Sequence, residues 1–126
     1  MLHISPVVAV VAVADLNRAR EFYGKTLALE EADNTDPGGV LYACGGGTRL
    51  LVYQSGFAAT NQATAAAWEV EDLDAEVSDL KLKGITFEQY DMPGVQREGD
   101  IHRIGERKAA WFKDPDGNIL NIITRP

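Results

Sequence analysis

Val13-Ala14-Asp15-Leu16 ends one apolar run and opens a helix-like stretch, and Val70-Glu71-Asp72-Leu73 repeats the arrangement in the second half of the chain. Asp15 and Asp72 are 57 residues apart (72 − 15), close to half of the 126 residues, so two copies of one strand-then-helix unit fill the sequence. Turn-separated, β-rich segments follow each copy. The unit therefore reads as βαβββ and the fold class as α+β, with module one over about 5–56 and module two over about 64–126 of a single 1–126 domain. A chain of this length buries a core without disulfide or metal staples, whereas either half alone falls short.

The local patterns fill in the units. Val7 to Ala14 is short, β-branched and stopped by Asp15, which predicts a buried strand. Asp15 then caps a helix with Leu16, Ala19, Phe22, Tyr23 and Leu27 on its apolar face. A strand at Leu29 to Ala32, a turn at Asp36-Pro37-Gly38-Gly39 and a strand at Val40 to Cys44 follow. Gly45-Gly46-Gly47 precedes a strand pattern, Thr48 to Gln54, rather than a helix, so it reads as a hairpin turn and not as a phosphate cradle. Ser55 to Thr64 connects the modules.

In the second unit, Ala65 to Glu71 is a strand and Asp72 caps a helix that buries Leu73, Val77 and Leu80 and ends before Gly84. Ile85 to Tyr90 is the next strand, and Asp91 to Lys108 reads as a long polar loop with room for a brief strand and the length of a lid. Ala109 to Lys113 and Ile119 to Thr124 close the chain through a type I turn at Asp114-Pro115-Asp116-Gly117.

Composition removes several functional classes. A net charge of −7 argues against a phosphate-backbone partner, so no nucleic acid is expected. The acidity suits a neutral or cationic small molecule. The Val7 to Ala14 run is too short to cross a membrane and the single Cys44 forms no internal disulfide, which together predict a cytoplasmic protein with no membrane partner. Cys44 has no helix terminus or histidine beside it in sequence and reads as an inert thiol.

The Val-Ala-Asp-Leu start of a helix containing Glu21-Phe22-Tyr23, the repeated Asp72-Leu73, Lys83-Gly84-Ile85 and the closing Phe112-Lys113-Asp114-Pro115-Asp116-Gly117-Asn118 resemble the vicinal oxygen chelate superfamily. That group contains glyoxalase I, extradiol dioxygenases, and fosfomycin- and bleomycin-resistance proteins. The resemblance spans essentially the whole chain and implies two βαβββ modules pairing into a curved mixed sheet around a cup, in a homodimer as in many relatives. Metalloenzymes of the group place ligands on the first and fourth strands of each module. The corresponding positions here are Val8, Leu51, Ala66 and Asn121. Three have no donor atom and the fourth is a neutral amide, so no metal and no cofactor is expected.

A cup without a metal binds through shape, aromatic faces and a few polar groups. Strand alternation within the implied cup puts Ala66, Trp68 and Val70 on its inner face, Leu51 and Tyr53 on the same side, and Asn121 between Ile119 and Ile123. Tyr53, Trp68 and Asn121 are thus the leading ligand-binding candidates, with Tyr42, Tyr90 and Trp111 on neighbouring strands. Arg49 and Gln54 are expected at the rim or in solvent. His102, in the long loop, is the candidate general acid or base, alone or with Glu88, Asp91 or Asp100 around a displaced metal.

Three functions follow. The first is metal-independent sequestration of an aromatic or cationic small molecule. The second is a glyoxalase-like lyase or isomerase, or a dioxygenase-related enzyme. The third is an interaction module whose cup is filled by its own side chains.

Overall fold

A computed structural model describes residues 1–33 and 37–125. After a 3₁₀ turn at Leu2–Ile4, strand β1 (Ala9–Val13) leads into helix α1, which starts as an α-helix over Leu16–Ala19 and widens into a π-helix over Arg20–Thr26. Strands β2 (Glu30–Asp33), β3 (Gly39–Ala43) and β4 (Arg49–Gln54) complete the first unit. The second comprises β5 (Thr64–Val70), α2 (Leu73–Leu82), β6 (Phe87–Glu88), β7 (Gln96–Glu98), β8 (Ile101–Ile104), β9 (Arg107–Lys113) and β10 (Ile119–Thr124).

Both helices begin as their sequences predict. The Asp15 carboxylate accepts from the amides of Asn17 and Arg18 at 2.9 and 3.2 Å, and Asp72 accepts from Ala75 at 3.1 Å, satisfying donors that a first turn leaves open. The widening of α1 is not visible in its spacing. The Leu27 amide donates to the Phe22 carbonyl, a five-residue step, and the extra residue per turn brings Phe22 and Tyr23, adjacent in sequence, onto one buried face.

The strands form two sheets rather than one continuous sheet. The first has the order β1-β4-β3-β2, with β1 and β4 parallel and the other pairs antiparallel. Gly39 allows a close approach, since a Cβ there would stand 3.3 Å from the Val52 carbonyl oxygen across the β3–β4 ladder, a tight contact that the neighbours would have to yield to. The second sheet runs β5-β10-β9-β8-β7, with the short β6 paired to β9 beyond the end of β8. β1 and β5 are the edge strands of their sheets and lie side by side, so the two modules meet along a seam.

One side of both sheets packs on the helices. Val11, Val13, Val40, Tyr42, Leu50 and Val52 from the first sheet share a single core with Ala66, Ala110, Phe112, Leu120 and Ile122 from the second, together with Phe22 and Tyr23 of α1 and Leu73, Val77 and Leu80 of α2. The other face of the first sheet is free of helices and carries Val10, Ala12, Leu51 and Tyr53, which pair as Val10 with Leu51 and Ala12 with Tyr53.

The closing turn clamps the modules together. Its backbone bond from the Gly117 amide to the Asp114 carbonyl is the expected four-residue turn. Within it the buried Asp114 carboxylate accepts from the amides of Asp116 and Asn118, from the Asn118 side chain at 2.8 Å, and from the Tyr23 hydroxyl of α1 at 2.8 Å. Asn118 also donates to the Ala12 carbonyl of β1 at 2.8 Å, and Asp116 accepts from Arg18 at 2.6 Å. Burial, with Asp114 next to it, pushes the Tyr23 phenol well above its ordinary value of 10, so the tyrosine remains a donor.

Several elements depart from the sequence expectations. The valine run is a strand only from Ala9, so Val7 lies before it and is exposed, while Val10 is exposed because it sits on the helix-free face. The Ile85 to Tyr90 segment contributes only Phe87–Glu88 to the sheet. The long loop instead contains a β-hairpin, β7 and β8, turned at Gly99 with φ +61°. Asp36 of the predicted first-module turn lies outside the described residues; Pro37 and Gly38 form a turn there.

Candidate functional site

A cleft of about 520 Å³ opens at the seam. Val7 and Ala9 flank it at the start of β1, residues 44–46 and 48–50 line it around the glycine turn and the start of β4, residues 66–69 of β5 form the facing wall, and Arg125 closes it beyond β10. Because β5 is an edge strand, both of its faces reach the cleft: Ala66 and Trp68 from the core side, Ala67 and Glu69 from the other. The glycine turn is tight, with φ values of +66° and +75° at Gly46 and Gly47, and Thr48 closes it by donating to the Gly45 carbonyl at 2.6 Å.

Trp68 is half-buried, packs on the core and forms part of this wall. The other sequence candidates do not join it. Tyr53 stands on the helix-free face of the first sheet, 39 % exposed and outside the cleft. Tyr42 is in the core beside Tyr23, with ring centroids 6.2 Å apart, and its buried hydroxyl has no partner among the described residues.

Asn121 and Trp68 lie on opposite faces, contrary to the shared inner face that the resemblance implied. In the parallel β5–β10 ladder Trp68 opposes Ile122 on the core side, whereas Asn121 opposes Ala67 on the other. Ile119 pairs with Thr64 but Leu120 pairs with Ala66, so a β-bulge skips Ala65. The Asn121 amide is also committed, donating to the carbonyls of Ala110 and Ile122 at 3.1 and 3.3 Å.

Tyr90, His102 and Trp111 do meet, in a second place. Their rings form a cluster on the Asn121 face of the second sheet, with His102 4.9 Å from Trp111 and Tyr90 5.7 Å from Trp111 by ring centroids. The Trp111 indole donates to Thr64 at 3.1 Å. Beside the cluster, a second cleft of about 410 Å³ is lined by Tyr90, Ile119, the connector residues Asn61 and Gln62, and the ion-paired Glu88 and Lys113. Burial raises the Tyr90 phenol above its ordinary value, and its buried hydroxyl also lacks a partner among the described residues.

His102 is not a lid residue. It sits on β8 with no solvent exposure; its Nε2 accepts from the Tyr90 amide at 3.0 Å, and its Nδ1 lies 3.1 Å from the Asp100 carbonyl, to which it donates. Both ring nitrogens are used in holding the β8 hairpin to the segment after β6. The carboxylates that could have accompanied it around a displaced metal are engaged by cations, Glu88 by Lys113, Asp91 by Arg97 and Asp100 by Lys81.

The family's metal site has no donor set here. Val8, Leu51 and Ala66 offer no ligand atoms, Asn121 turns its amide to backbone carbonyls, and among the described residues no three His, Cys, Asp or Glu side chains cluster. The sequence expectation missed Arg125 as a wall of the cleft and placed Arg49 only at a rim. The signal available was the parallel pairing of β1 with β4, which sets Leu50 against Ala9 and carries Arg49 to the seam.

Two helix-backed sheets meeting at edge strands, with a cleft at the seam and a clamp at the Asp-Pro-Asp-Gly-Asn turn, define a two-module βαβββ protein. The sequence matches the Glyoxalase/Bleomycin resistance protein/Dioxygenase superfamily over residues 2–122, and the chain belongs to that family. Solved structures agree on the fold. A glyoxalase family protein from Enterococcus faecalis superposes with a TM-score of 0.72 at 19 % identity, covering 98 % of this chain and 99 % of that one. A superfamily member from Sphaerobacter thermophilus gives 0.70 at 21 % identity over 99 % and 100 % of the two chains. A glyoxalase/bleomycin resistance protein from Streptomyces sp. CB03234 gives 0.66 at 22 % identity over 94 % and 98 %. Among curated proteins, none matches the sequence. No helix among the described residues is long and apolar enough to cross a membrane.

Proposed function

We propose that the chain binds a small organic molecule in the seam cleft and does so without a metal ion. The observation that carries this is the cleft itself: about 520 Å³, walled by Trp68 and aliphatic groups, in a chain where the positions that the resemblance implies for metal ligands hold Val8, Leu51, Ala66 and Asn121. Its volume falls within the roughly 300–1,000 Å³ of small-molecule sites. An indole face and small alanines suit a flat apolar body, which the wall can cover with large contact area at low entropic cost. Acid–base catalysis by His102 has little support, because the ring is enclosed and both nitrogens hold the backbone.

A thermal-shift screen of aromatic compounds against the chain and its Ala67→Trp variant tests the proposal. Ala67 is exposed on the cleft wall, so a tryptophan there fills the space without entering the core. Compounds that raise the melting temperature of the wild type and not of the variant are the expected result. No stabilisation of the folded wild type by any compound, or equal stabilisation of both proteins, would refute it.

A further inference from the structure

We infer that the molecule held in the seam cleft is an organic anion, a carboxylate on a flat apolar body, gripped by Arg49 and Arg125. The inference rests on the proposed cleft and adds the charge of its occupant. Of the twelve lysines and arginines, nine sit in ion pairs with described residues. The three that remain are Arg49, Arg103 and Arg125, and two of those line this one cleft.

Neither Arg49 nor Arg125 has a hydrogen bond or ion pair to any described residue, in a chain where acids outnumber bases by 19 to 12. Acidic partners are therefore abundant in the chain, yet none of the described residues pairs with these two. Among the described residues the only carboxylate on the wall is Glu69, which has Arg107 at 3.5 Å, so its charge is offset while no described residue compensates the two guanidiniums.

The whole-chain charge of −7 pointed to a cationic ligand, but the lining points the other way. At physiological ionic strength, charges more than about 8 Å away are largely screened, so a ligand in the cleft responds to the two arginines rather than to the distant acids. A guanidinium matches a carboxylate through two parallel N–H···O bonds, and one arginine from β4 with another from beyond β10 can hold it from two sides. Trp68 and Ala67 supply the apolar surface against which the body of the ligand lies.

Calorimetric titration of 2-naphthoate, 2-naphthamide and 2-naphthylmethylamine into the full chain separates charge from shape. The naphthoate is expected to bind at least about tenfold tighter than the isosteric amide, with the amine weakest. Arg49→Gln and Arg125→Gln should each weaken naphthoate about tenfold while leaving naphthamide unchanged, and raised salt should weaken naphthoate alone.

Equal affinity for the three probes, or a preference for the amine, overturns the anion assignment and leaves the cleft standing if Ala67→Trp abolishes that binding. Naphthoate binding that survives Ala67→Trp overturns it as well, because the arginines then act outside the cleft. If none of the three binds while other compounds stabilise the protein through the cleft, the anion assignment falls alone; if no compound binds there at all, both readings fall.

Discussion

Tyr23 and Tyr42 are neighbouring, equally buried tyrosines for which removal of the hydroxyl should have opposite effects. Both are fully excluded from solvent, with ring centroids 6.2 Å apart. The Tyr23 hydroxyl donates at 2.8 Å to Asp114, the carboxylate that organises the closing turn and ties α1 to the second module. Tyr23→Phe leaves that buried carboxylate with three donors instead of four. A hydrogen bond to a charged group contributes about 1.5–3 kcal/mol. The Tyr42 hydroxyl is equally dry but has no partner among the described residues, so it carries a desolvation cost with no bond to offset it. Tyr42→Phe should then be neutral or stabilising by about 1 kcal/mol. At about 4 °C per kcal/mol for a chain of this size, Tyr23→Phe should melt about 6–12 °C lower and Tyr42→Phe up to about 4 °C higher than wild type. Urea unfolding followed by circular dichroism measures both free energies. A Tyr42→Phe variant as destabilised as Tyr23→Phe would refute the reasoning, since burial alone would then decide the effect.

Asn121→Asp replaces two donors to backbone carbonyls with a buried anion facing them, and a loss of about 3 kcal/mol or more in urea unfolding is expected. His102→Ala should cost about 2–4 kcal/mol, because the Tyr90 amide loses its acceptor and the ring packed edge-to-face against Trp111 leaves a cavity; hydrogen exchange should accelerate first at Tyr90 and along β8. Asp100, hydrogen-bonded to Lys81, has its carboxyl held below the ordinary 3.8. A depressed folded value makes its contribution fully present above the unfolded value and lost as pH falls through the folded one, so the stability gap between wild type and Lys81→Met should close only in acid below about pH 3.8.

The repeat was legible because each module announces itself locally: Asp15 and Asp72 cap helices with their own side chains, and α2 buries Leu73, Val77 and Leu80 as its spacing requires. The closing turn was legible as a turn but not as a clamp, since Tyr23 lies 91 residues from Asp114 and only the fold joins them. Strand phase was where the site reading failed. Alternation along β5 and along β10 holds within each strand, but which face of each turns inward was implied only by the resemblance, and a phase difference of one residue exchanges the faces on which Trp68 and Asn121 appear. The β7–β8 hairpin was hidden by its polarity, because its strands sit at the outer end of the sheet where Gln96, Glu98 and Arg103 face solvent and apolar alternation is not required. The charge of the cleft could not be read from composition, which sums all 126 residues, whereas the lining selects a few.

Metal-independent binding in the seam cleft is tested most directly by titrating the strongest thermal-shift compound into the wild type before and after exhaustive treatment with EDTA, and into Ala67→Trp. Affinity unchanged by EDTA and abolished by Ala67→Trp is the predicted result. Affinity that falls with EDTA and returns with zinc or manganese, or that persists in Ala67→Trp, would contradict it.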